Sequence, residues 1–194
     1  MVRTESTMLP LGTAAPAFTL EDVVSGKTIS LETFQGQKGL LVMFICQHCP
    51  FVIHVEQALS RIGHDYVPQG VGILAISANS IETHPQDSPD NLRKQVKRAD
   101  FNFPYAYDAT QAVAKSYTAA CTPDFFLFDS DFKLAYRGQL DDSRPGNDKP
   151  VTGSDLRTAL DIVVAGNAVP EMQKPSIGCN IKWAPGNEPA YFGT

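Results

Sequence analysis

The apolar positions of this chain fall into two kinds of run. Gly39 to Ile45 (GLLVMFI) and Val71 to Ser77 (VGILAIS) are continuously apolar. Runs of that length predict strands buried on both faces, the habit of central parallel strands. Other segments alternate. AFTL and KTISL, with Ser25-Gly26 between them, predict a β-hairpin or a pair of short strands. TPDFFLFDS and FKLAYRG, joined by Asp129-Ser130-Asp131, predict a second, antiparallel hairpin. NFPYAYD predicts a short strand or extended piece.

Helical spacing appears in four places. Val52, Val55, Leu59 and Ile62 predict a helix from Cys49 to Tyr66, ended by Pro68-Gln69-Gly70. Ser88-Pro89-Asp90 predicts a short helix, with Ser88 as N-cap, Pro89 at the first helical position, and Val96 and Phe101 as apolar contacts. ATQAVAKSYTA predicts another. SDLRTALDIVVAG predicts an amphipathic helix capped by Ser154 and ended by Gly166. The polar stretch ANSIETHPQDSPDN predicts a long surface loop. Residues 1–12 predict a loosely ordered start, and residues 167–194 an irregular, Pro- and Gly-rich C-terminal extension that buries Trp183, Tyr191 and Phe192.

The order is β-β, then β-α-β-α-β-α, then β-β-α. This predicts one α/β domain over residues 1–194: a central mixed sheet with helices on both faces, an antiparallel edge and an N-terminal hairpin extension. With 194 residues, 43% of them hydrophobic, the chain can fill one full core.

Charge narrows the function classes. The net charge is -5, and Lys and Arg do not cluster as a phosphate-binding surface would require, so nucleic acid is not an expected partner. The densest basic stretch, Arg93 to Arg98, reads as the solvated face of a short helix. No segment predicts a membrane span, and MVRTESTMLPLG lacks the apolar region of a signal peptide, so a cytoplasmic location is expected. A monomer or homodimer fits an acidic chain with no large apolar stripe.

Candidate chemistry sits in FICQHCPFVIH. Cys46 and Cys49 are two of four cysteines, with Cys121 and Cys179. The pair falls where a buried strand gives way to a helix. There, unpaired backbone N–H groups and the helix dipole favour a thiolate. An i, i+3 pair can close a disulfide. The expected roles are Cys46, sulfur outward, as attacking thiolate and Cys49, shielded, as resolving thiol. Pro50 fits the first turn, where a missing N–H costs little.

Two other readings stand beside the redox one. Cys46 and Cys49 with a histidine (His48 or His54), or with Cys121, could bind a metal, although no second CxxC or HxxxH completes a four-ligand zinc set. The pair could also be inert packing. The strand–helix context favours dithiol/disulfide exchange, with no cofactor beyond a Cys46–Cys49 disulfide. His48, between the thiols, reads as a group that steadies the Cys46 thiolate when protonated. His54 reads as solvent-exposed or as a hydrogen-bonded core residue, and His64 and His84 as surface residues.

FICQHCP after a buried strand, with TPDFFLFD further on, resembles the thioredoxin fold. The resemblance implies a cis-proline at Thr122-Pro123 beside the CxxC. It also implies a bare Thr122 backbone edge open to an incoming peptide, and a docking surface shaped by Phe51, Thr122 and Pro123. PAFTLEDVVSGKTISLETFQG, RGQLDDSRP and PSIGCNIKW are similar to the peroxiredoxin-like (AhpC/TSA) branch, over residues 10 to 190. That implies a thiol-disulfide oxidoreductase, or alternatively a thiol peroxidase. Protein or small-molecule thiols and disulfides would be the substrates, and a thioredoxin- or glutathione-type molecule the electron donor.

The chain departs from the family in three ways. Met43 and Gly39 stand where a peroxiredoxin has its Thr and Pro, and no acid lies in Gly39 to Ile45 to accept the resolving thiol's proton. Gln47-His48 between the cysteines is closer to oxidising members than to thioredoxin. The resemblance places Cys121 near the pair, as a buried packing residue, a third redox thiol or a minority metal ligand. Cys179 is expected to be free or to fold back towards Cys121.

Overall fold

A computed structural model describes residues 3–193. Fourteen elements follow one another: β1 (Arg3–Glu5), β2 (Thr19–Glu21), β3 (Thr28–Ser30), β4 (Gly39–Phe44), α1 (Pro50–Tyr66), β5 (Val71–Ser77), α2 (Pro89–Ala99), β6 (Tyr105–Tyr107), α3 (Ala112–Ser116), β7 (Cys121–Thr122), β8 (Asp124–Asp129), β9 (Leu134–Gly138), α4 (Ser154–Val164) and β10 (Ile177–Asn180).

The main sheet has the order β6-β5-β4-β8-β9. Its centre is parallel, with Leu41 opposite Ile73, and its β8 and β9 side antiparallel, with Leu41 also opposite Leu127. The two continuously apolar runs are β4 and β5, buried at every position. One face packs Leu41, Met43 and Ile45 against Val52, Val55, Leu59 and Ile62 of α1, with α2 and α4 alongside. The other packs Leu40, Val42 and Phe44 against Phe18 and Ile29 of the hairpin, Val113 and Ala114 of α3, and Trp183. The expected three-layer α/β sandwich is present, and a short helix covers the second face. No helix among the described residues is long and apolar enough to cross a membrane.

Local chemistry explains the turns. In the β2–β3 hairpin Leu20 faces Ile29, and the Asp22 side chain accepts from both the amide and the hydroxyl of Ser25. Between β8 and β9, Asp129 accepts the Asp131 and Lys133 amides. Glycine at position 166, with φ +73°, follows the α4 C-cap as expected.

Four expectations need correction. The cap of α4 is Gly153, not Ser154; Asp141 gathers the Thr152 and Gly153 amides and sets that turn. Residues 1–12 are not loose throughout: Arg3–Glu5 pairs antiparallel with β10. The C-terminal extension is not wholly irregular either, because β10 lies between β1 and β7. Trp183 is buried and Tyr191 half-buried, while Phe192 stays exposed. The stretch after β5 is no plain surface loop. Ala78, Asn79, Ser80 and Asp87 are buried, while Ile81, Glu82, Thr83, Pro85 and Asp90 meet solvent. Asn79 and Asp87 satisfy each other there by a 2.8 Å hydrogen bond, so their burial leaves no orphan charge.

Candidate active site

The segment between β4 and α1 carries the CxxC. The Ile45 amide still donates to Ile76, so the chain leaves the sheet only at Cys46. Cys49 is the N-cap of α1 and Pro50 its first residue. Cys46 therefore precedes the helix, and the N-terminus that was expected to activate Cys46 is capped by Cys49. Neither sulfur points outward: both cysteines are 0% exposed.

Three anchors hold this segment. Gln95 of α2 donates to the Cys46 carbonyl at 3.3 Å and to Glu56 at 3.0 Å, and Arg98 closes on Glu56 at 2.8 Å. Asp87 accepts from the Gln47 amide at 3.0 Å and lies 2.6 Å from His48 Nδ1. His48 also stacks on His84 at 5.2 Å between ring centres. So His84 is not a free surface residue, and burial and the adjacent His48 lower its proton affinity. The third anchor is Thr122, whose hydroxyl is 3.5 Å from Cys46 Sγ and whose carbonyl accepts from Cys49 Sγ at 3.3 Å. The Thr122–Pro123 peptide is cis.

The Thr122 edge is occupied. Strand β10 pairs with it antiparallel, Cys179 opposite Thr122 and Asn180 opposite Cys121. Ser176 Oγ donates to the Pro123 carbonyl, and the Ile181 amide to the Ala120 carbonyl. A Cβ on Gly178 would strike the Thr122 backbone, so glycine is what lets the strands meet. The resemblance implied a bare edge; the chain's own tail fills it. Phe51 and Pro123 do share a shallow cleft, with His54, Arg144 and Ile177, while Thr122 lies buried beneath the tail. His54 is half-buried, and its Nε2 lacks a partner.

Cys49 hydrogen-bonds to both Cys46 and Cys179. Cys121 is buried and donates to the Pro123 carbonyl at 3.6 Å. Burial, above all, raises the proton affinity of Cys46, and the Asp87 charge adds to it. Donation from Cys179, then from Cys46, lowers that of Cys49. When Cys49 is protonated, its thiol keeps the Thr122 carbonyl.

Cys46, His48 and Asp87 each bring a ligand atom within 4.8 Å of the others, the one such group among the described residues. A metal reading would thus use Cys46, His48 and Asp87, not Cys49. Both Asp87 oxygens already accept hydrogen bonds from Gln47, His48 and Asn79.

The sequence reading missed Asp87, Asn79 and the Glu56–Gln95 pair, and it brought Cys179 back towards Cys121, where the structure sets it opposite the adjacent Thr122. Asp87 has no distinguishing signal in a polar stretch. Cys179 had one: Ile177-Gly178-Cys179-Asn180-Ile181-Lys182-Trp183 alternates like a strand. The buried Asp124 was also missed as an acid near the thiols. It directly follows the cis-proline, and burial pushes its carboxyl up to about 7.

Residues 11–137 match the AhpC/TSA family. The chain belongs to the AhpC/TSA family. The chain is similar to an uncharacterized conserved protein of Geobacillus kaustophilus. That crystal structure is 54% identical, with a TM-score of 0.93, over 95% of this chain and 98% of the other. The chain is also 28% identical to the thiol-disulfide oxidoreductase ResA of Bacillus thuringiensis, over 68% of this chain and 70% of that one. The thioredoxin domain of a thiol-disulfide oxidoreductase from Bacteroides vulgatus shares the fold, at 23% identity and a TM-score of 0.57 over 66% of this chain and 88% of the other.

Proposed function

We propose that this AhpC/TSA protein is a thiol-disulfide oxidoreductase whose working pair is Cys46 and Cys49. The observation that carries the reading is the hydrogen-bonded thiol pair at the N-terminus of α1, with Thr122 contacting both sulfurs. The similarity to ResA supports it.

Cys46 is the sulfur that meets substrate. It lies in the connection ahead of the helix, beside half-buried Gln47 and His48, whereas Cys49 is the helix cap beneath Thr122 and the tail. Burial is the first cause of Cys46's raised proton affinity, so uncovering the site removes it. The Cys46 thiolate then attacks a substrate disulfide. The substrate's sulfur–sulfur bond breaks, a mixed disulfide forms and one substrate thiolate leaves. Cys49 attacks the Cys46 sulfur of that intermediate, closing the Cys46–Cys49 disulfide and releasing the second substrate thiol. Two electrons pass to the substrate, and a thioredoxin-type dithiol or two glutathione-type thiols return them. Substrates are protein or small-molecule disulfides and thiols.

Reduction of insulin disulfides tests the reading. Cys46→Ser should abolish it, and Cys49→Ser should trap a mixed disulfide on Cys46. A Cys46→Ser protein as fast as the parent would sink the proposal. Family membership supports peroxide as an alternative oxidant, and stopped-flow peroxide consumption no faster than that of a free thiol would discard it. The Cys46–His48–Asp87 group supports a metal-binding alternative, decided by elemental analysis of protein purified without chelator.

A further inference from the structure

Strand β10 sits where an incoming peptide would pair, and it carries a cysteine. In β-augmentation an extended segment adds to an open edge through main-chain bonds and presents alternate side chains to the surface beneath. Here the added segment is intramolecular. Cys179 stands opposite Thr122, Gly178 allows close approach to the Thr122 backbone, and Ser176 and Ile181 fasten the strand on either side. Strand β1 closes its outer edge, with Arg3 opposite Cys179. This places Cys179 beside Thr122, whose carbonyl accepts from Cys49 Sγ at 3.3 Å, and the Cys179 thiol in hydrogen-bond contact with Cys49.

We propose that Cys179 is a third redox-active thiol, exchanging with Cys46 for the sulfur of Cys49. In the oxidised protein the Cys179 sulfur attacks Cys49. The Cys46–Cys49 bond breaks, a Cys49–Cys179 bond forms, and the proton leaving Cys179 passes to the Cys46 sulfur. No electron enters or leaves, so the step needs no outside oxidant. Its effect is to free Cys46, the substrate-facing thiol, while the protein remains oxidised. Cys121 takes no part: its thiol is spent on the Pro123 carbonyl.

The proposal rests on the Cys46–Cys49 reading, and its test is separable from that one. Full-length Cys46→Ser protein is treated with oxidised glutathione, the free thiols are alkylated and the disulfides are mapped by mass spectrometry. Cys49 attacks glutathione disulfide and releases one glutathione thiol. Cys179 then attacks Cys49 and releases the second. The expected result is a Cys49–Cys179 disulfide with loss of alkylation at both positions, whether or not insulin is reduced by the parent. Glutathione retained on Cys49 with Cys179 fully alkylated would overturn the proposal. The parent chain gives a second reading that needs no substitution. Oxidised parent protein should yield both Cys46–Cys49 and Cys49–Cys179 peptides, and the first alone, in protein that reduces insulin, would refute the third thiol and leave the pair standing.

Discussion

The dithiol has two flanks built from different materials. On the Cys46 side lies charge and amide: Asp87, His48, and Gln95 with Glu56 behind it. On the Cys49 side lie backbone and sulfur: Thr122, the paired strands β7 and β10, and Cys179. The charged flank adds its charge to the burial that makes Cys46 hold its proton. The strand flank sets what can reach Cys49. Asn79 ties the two together. Its amide nitrogen donates to Asp87, and its oxygen accepts from the Lys182 amide just beyond β10. Proton affinity and access are thus separate properties held by separate segments, joined by one buried side chain.

The strand flank should break most visibly at Asp124. Its carboxyl is fully buried, with Oδ2 on the Ala120 amide and Oδ1 without a partner. Burial raises it from 3.8 to about 7. The folded protein therefore holds this proton to a higher pH than the unfolded chain does. Stability from this group is full below the unfolded value, falls as pH rises towards 7, and is level above. The loss is at most on the order of 4 kcal/mol. Asp124→Asn keeps an acceptor for Ala120 and cannot ionise, so denaturant midpoints of the variant should be flat across that window while those of the parent decline. Parallel curves would show that the flank does not depend on this proton.

Gly178→Ala comes next. The new methyl meets the Thr122 carbonyl group, which is backbone and cannot rotate aside, so β10 must lift. The expected cost is about 1–3 kcal/mol. Native-state alkylation of Cys49 and Cys179 should rise. If access changes at Cys46 instead, the division of the two flanks is drawn in the wrong place.

What was legible in the sequence follows the same division. The unbroken apolar runs announced β4 and β5, because a strand covered on both faces has no polar position to disguise it. Val52, Val55, Leu59 and Ile62 announced α1, and the CxxC between them placed the dithiol. Resemblance supplied Thr122-Pro123. The flanks were less legible because they are long-range. Asp87 became a buried partner only through Gln47, His48 and Asn79, and nothing in HPQDSP separates it from a solvated acid. The strand at Cys179 showed its alternation, yet Pro and Gly on either side obscured it, and its partner strand β7 is only two residues long. Which cysteine caps the helix was misplaced by one turn. That shift alone moved the helix amides from Cys46 to Cys49.

The charged flank yields the smallest of these effects and the most specific. Asp87 is fully buried 2.6 Å from His48 Nδ1, and its charge adds to the burial that keeps the proton on Cys46. Asp87→Asn removes that charge and retains an acceptor for the Gln47 amide. Cys46 should ionise at lower pH, and its alkylation below the thiol's own titration range should quicken by ~3–10-fold. Loss of one buried acceptor should cost about 1–3 kcal/mol of stability. Rate against pH, read separately for each cysteine by mass, checks the prediction. Acceleration confined to Cys46 would confirm that Asp87 acts on one sulfur only. Equal acceleration at Cys49 and Cys179 would mean that Asn79 had released the tail as well, making the two flanks a single cover that opens together.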